Sequence, residues 1–163
     1  MDAKQQLYAW LNDAHATEVA LEKILVNHVA DATEFPEVRD RLQEHLGETR
    51  RHAQMLRDCI ESTGGKLSTV KSLLGSVVGR VEAVGTGMFA DQIIKNMLMD
   101  AAAERFETAS YRSLIAAAEE MGEQHIASVC REILAEDEAM AKWLDTQVAQ
   151  VTREFLQRYA TAV

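Results

Sequence analysis

Apolar residues recur along most of this chain at alternating steps of three and four, the spacing that lines one face of a helix. From about Lys4 to Ala30 the stripe runs Leu7, Leu11, Ala14, Glu18, Leu21, Leu25 and His28. The segment Asp31 to Pro36 breaks it, because proline is tolerated in the first turn of a helix but not deeper. A second helix follows to about Thr63 and stops at Gly64-Gly65. Between Lys66 and Gly85 a shorter helix is predicted from Val70, Leu73, Leu74, Val77, Val78, Val81 and Val84, with Ser68 as its N-cap. A third long helix spans about Phe89 to Met121, carrying Ile93, Met97, Glu104, Glu107, Tyr111, Leu114 and Ala118 along one side. After Gly122 a final helix from about Glu123 to Tyr159 carries Ile126, Val129, Ile133, Glu136, Met140, Leu144, Val148, Val151 and Phe155.

Connection lengths constrain the threading. Short links join the first helix to the second and the third to the fourth, so each pair is expected to be an antiparallel hairpin. About 25 residues separate the second and third helices, and a helix of about 18 of them would climb roughly 27 Å, most of the length of the bundle. The expected fold is therefore all-α and ferritin-like: a four-helix bundle, residues 1–163 as one domain, whose long crossover carries a fifth, shorter helix.

The stripes are interrupted by groups that are costly to bury. On the second helix His45, Glu48 and His52 share one face between Leu42 and Met55. Each of the other long helices offers at least one glutamate: Glu18, then Glu104 and Glu107, then Glu136. Facing residues in an antiparallel hairpin lie equally far from its turn, so their midpoint falls in the loop. Glu18 and Glu48 average to position 33, inside the first turn, and Glu107 and Glu136 to 121.5, at the second. His15 and His52 average to 33.5, and Glu104 and Met140 to 122. A polar layer at mid-bundle follows, built from Glu18, Glu48, Glu107 and Glu136 and flanked by His15, His45, His52 and Glu104. Carboxylates crowded in this way cannot all stay ionised without a cation, and carboxylate oxygen with imidazole nitrogen suits iron, manganese or zinc. An ion-pair network using Arg50, Arg51, Arg105 or a protonated histidine is the metal-free alternative. His28 and His125 are assigned no role.

Composition narrows the classes. The net charge of −9 without a basic run argues against nucleic acid and anionic membrane as partners. No stretch approaches the roughly 20 apolar residues of a membrane span, and Met1 to Gln6 lacks a secretion signal, so a cytoplasmic location is expected. Cys59 and Cys130, far apart in sequence, read as small core residues.

Leu11-Asn12-Asp13-Ala14-His15-Ala16-Thr17-Glu18, His45-Leu46-Gly47-Glu48-Thr49, Glu104-Arg105-Phe106-Glu107-Thr108-Ala109-Ser110-Tyr111 and Leu134-Ala135-Glu136-Asp137, with the Gly122 break, resemble ferritin-like proteins. The chain is more closely similar to the bacterial YciE/YciF-like family of stress-associated small bundles. That resemblance implies homodimers and a di-metal centre of iron or manganese, with Glu18, Glu48, Glu107 and Glu136 at the carboxylate ligand positions. His52 is the best nitrogen donor, and Glu104 lies on the same inward arc as Glu107. Peroxide reduction or ferrous oxidation is the implied chemistry. Ferritin-like di-iron proteins typically carry Glu-x-x-His on two helices, whereas here Glu48 meets Arg51 at that spacing and Glu136 meets Ala139. The contrasting function is a metal-free dimeric stress or structural protein acting through a partner surface, for which Trp10 and Trp143 are candidate interface residues.

Overall fold

A computed structural model describes residues 2–67 and 90–160. Four long helices make up nearly all of it: α1 (Ala3–Asp31), α2 (Pro36–Ser62), α3 (Gln92–Glu120) and α4 (Gln124–Ala160). The expected fifth helix between Lys66 and Gly85 falls almost wholly outside the described residues. Local chemistry sets the helix ends. Asp2 caps α1 in a reciprocal box with Gln5, satisfying two amide donors that would otherwise be unpaired. Pro36 opens α2, where its missing N–H costs nothing. Gly64 ends α2 and Gly122 reverses the chain between α3 and α4, at φ of +73° and +71°, a region that other residues enter only under strain.

Each helix packs on two neighbours: α1 on α2 and α3, and α4 on α3 and α2. Glu18 of α1 lies beside both His52 of α2 and Tyr111 of α3, while His28 pairs with Asp100. Thus α1 runs antiparallel to α2 and to α3, and α2 and α3 are parallel, as the single long crossover requires. Arg105–Asp145, Arg112–Glu138 and Arg131–Glu119 pin the antiparallel hairpin of α3 and α4 along its outside.

The interior is two apolar clusters separated by a polar belt. One end gathers Leu7, Leu11, Leu56, Ile60, Leu114, Ile126 and Ile133; the other gathers Leu25, Phe35, Leu42, Leu46, Met97, Met140 and Leu144. Both cysteines are buried free thiols in the first cluster, where burial pushes Cys130 up to about 12 and leaves it inert. Among the described residues no helix is long and apolar enough to cross a membrane.

Candidate metal centre

Between the clusters, α3 presents Asp100, Glu104, Glu107 and Tyr111 on one buried stripe, all no more than 5% exposed. Their spacing of four, three and four puts them on one face of the helix. Facing them are His28 and Glu18 of α1, His45 and His52 of α2, and Asp137 of α4, each equally buried. So many ionisable groups away from water demand compensation, and the belt supplies it in two different ways.

The first is a clasp. His45 stands between two carboxylates, with Nδ1 2.8 Å from Glu48 and Nε2 2.8 Å from Glu104. An imidazolium fills both contacts by donating from each ring nitrogen, while burial raises the pKa of Glu104 against the lowering bond from His45. Burial alone lowers the affinity of His45 for its proton, yet the bonds to Glu104 and Glu48 outweigh that and push its pKa up to about 10. The bond from His45 in turn holds Glu48 down to about 2, helped by Arg41 at 3.2 Å. His28, which its sequence context left without a role, makes a comparable buried pair with Asp100 at 2.7 Å.

The second is a cage. Nδ1 of His52 faces Glu18 at 3.5 Å and Asp137 at 3.6 Å, too far and too poorly aimed for a hydrogen bond. One donor atom from each of these three residues lies within 4.8 Å of the other two. Glu107 is their neighbour, and its Oε1, Nδ1 of His52 and Oδ2 of Asp137 are all buried without a partner. Burial, with the charge of Glu18, raises Asp137 to about 8. The same two causes, with the charges of Asp137 and Glu104, raise Glu107 well above the carboxylate range. Burial lowers and Glu18 then raises His52, to about 9. Tyr111 donates at 2.5 Å to Oε1 of Glu18, the same oxygen that faces His52.

The outward Nε2 of His52 donates to Glu136 at 2.7 Å, and Glu136 is itself paired with Arg51. A carboxylate on the far nitrogen fixes the tautomer and aims the near nitrogen inward, the usual arrangement behind a metal-bound histidine.

Of the residues singled out from sequence, Glu18, His52 and Glu107 come together in the cage, and Glu104 joins the clasp. Glu48 and Glu136 sit at the rim, with side chains 18% and 29% exposed. The inward places on their helices go to Thr49 and Asp137, 2% and 1% exposed. Asp137 was the residue missed, although Ile133, Asp137, Met140 and Leu144 keep a strict four-three-four step that Glu136 does not. At the i, i+3 spacing of the di-iron Glu-x-x-His motif the buried pairs are thus Thr49 with His52 and Asp137 with Met140. His15 is buried one turn from Glu18 with its Nε2 unpartnered; burial and Arg57 lower its pKa.

This one-crossover bundle has a ferritin-like fold. Known structures agree. The E. coli stress protein YciF matches with a TM-score of 0.81 at 20% identity, over 94% of this chain and 98% of that one. Mycobacterium tuberculosis bacterioferritin, BfrA, matches with a TM-score of 0.75 at 16% identity, over 96% and 92%. A protein of Xanthomonas campestris pv. campestris is 30% identical over 98% of this chain and 99% of its own, with a TM-score of 0.84. Residues 2–157 match the family described as Domain of unknown function (DUF892), and the chain belongs to that family.

Proposed function

We propose that this protein binds a divalent transition metal, iron or manganese, in the cage of Glu18, His52 and Asp137, with Glu107 completing the donor set. One observation carries the reading: three donor atoms from three helices converge within 4.8 Å, and two of these residues present buried polar atoms that no protein group satisfies. Protons on Asp137 and Glu107 offset the crowding without a cation, and a bound ion would displace them along with the proton of His52. Oxygen and imidazole donors suit iron and manganese. The family resemblance implied two ions; the donors present favour one, since Thr49 and Met140 take the places where a second carboxylate and a second imidazole would complete the neighbouring position. A bound ion of either kind would supply one-electron chemistry toward oxygen or peroxide, with Tyr111 and Glu18 holding a proton at its edge. The stress association of the resembling family belongs to the same proposal, as does a homodimer, for which exposed Val26 and Leu98 on the adjoining helices α1 and α3 supply apolar surface.

The clasp favours a second reading, a metal-free belt that fixes helix register. Elemental analysis after anaerobic reloading with ferrous or manganous ion separates the two. The cage predicts about one ion per chain, lost in Glu18→Ala and in Asp137→Ala. Equal metal in the parent and both variants, or none in a folded parent, refutes it.

A further inference from the structure

The cage has two flanks of opposite character. Toward α2 and α4 it is bolted by charge, with Arg51 on Glu136 and Glu136 on His52. Toward α1 and α3 a cavity of about 310 Å³ descends between the helices, with Trp10 and Phe106 among its walls and Glu107 and Tyr111, both part of the belt, also lining it. Its volume is at the lower end of the range of small-molecule sites, roughly 300–1,000 Å³. Ala14, Thr17, Ser110 and Leu114 keep it narrow and largely apolar. Trp10 and Phe106 are 44% and 37% exposed, the exposed aromatic rings among the described residues.

Two further features say what would fit. Glu107 lines the groove but is 3% exposed, and its buried Oε1 has no partner, so a donor that draws this carboxyl toward the groove removes the cost of a buried, unpaired acceptor. The charged groups among the described lining residues are Asp13 and Glu107, with no lysine, arginine or histidine beside them, which disfavours an anionic head. Aromatic walls accept a ring or short chain and attract a cation.

We propose that this groove binds a small molecule with an apolar body and a hydrogen-bond-donating head, an alcohol or a primary amine, with the head at Glu107 and the body between Trp10 and Phe106. Because Glu107 is also offered to the cage, an ion there and the head of this ligand would compete for it, and the assignment applies to the metal-free protein.

Three probes with a common ring test it: benzylamine, benzyl alcohol and benzoate. The chain has two tryptophans, so Trp143→Phe leaves Trp10 as the sole reporter. Fluorescence titration is run with chelator present, and metal content is measured on a separate sample, so failure here leaves the metal reading standing. Benzylamine and benzyl alcohol are expected to give saturable changes, with benzoate at least about tenfold weaker. Ser110→Leu, which fills the groove, should weaken both donor probes by about tenfold or more. The Ser110 hydroxyl donates within α3 to the Phe106 carbonyl at 2.8 Å, so this change breaks no bond between helices. Ala14→Leu fills the groove from α1 and replaces it if the first variant misfolds. The proposal is overturned by any of four results: no saturation by either donor probe up to about 20 mM, equal binding of benzoate, unchanged binding in the filled variant, or a Trp10 already shielded from acrylamide, which would place a second copy over the groove.

Discussion

His45 and His52 lie on the same buried face of α2, about two turns apart, and answer opposite needs. Both nitrogens of His45 are taken by carboxylates, and Arg41 supports one of these, so charge is balanced within the protein. His52 has its outward nitrogen taken and its inward one unpartnered before Glu18 and Asp137, with Glu107 beyond. The difference lies in the ratio of carboxyl to cation. Where it is balanced, a buried polar group fixes the fold; where three carboxyls face one imidazole, the deficit is the place for an added cation.

Completing the donor set sharpens the contrast most. Installing Thr49→Glu with Met140→His creates Glu-x-x-His on the first hairpin and Asp-x-x-His on the second, and metal content should rise from about one ion to about two per chain. A stoichiometry that stays at one would show that the position beside Glu107 is closed for another reason.

Breaking the clasp should cost stability and spare metal. His45→Gln leaves Glu104 buried without its cation, a loss of about 3–5 kcal/mol, read as a melting point roughly 10 °C lower. The sign of its pH dependence is set. The folded value of His45, about 10, lies above its ordinary 6.5, so its contribution is complete below pH 6.5 and fades as pH rises toward 10. The melting gap between parent and variant should therefore narrow over that window, and a constant gap would count against the imidazolium.

Loosening the support behind His52 has a smaller effect. Glu136→Gln should reduce metal affinity about 10- to 100-fold in a competition titration while the site survives. Removing a crowded carboxyl from the cage reverses the sign seen at the clasp. Glu107→Gln should stabilise the metal-free protein by about 1 kcal/mol, a melting point about 2–4 °C higher. A drop in melting point would mean that the cage is as well satisfied as the clasp.

The periodicity of apolar residues, the two turns and the long connection determined the helices to within a few residues, their threading and a polar layer at mid-bundle. Those properties follow from local steric rules and from the cost of burying charge, which any stretch of sequence displays. The identity of the inward residue did not follow. A helical turn tolerates neighbours such as Glu136 and Asp137, or Glu48 and Thr49, because each is within one step of the ideal arc. The loop midpoint test cannot choose between them either: Glu18 meets His52 about position 35, still within two residues of the turn expected from Glu48. Only packing of four helices resolves which carboxyl is driven inward and which is left at the rim to be caught by arginine. It also decides that one histidine is clasped and the other faces a cage, because that depends on groups tens of residues away arriving at the same height.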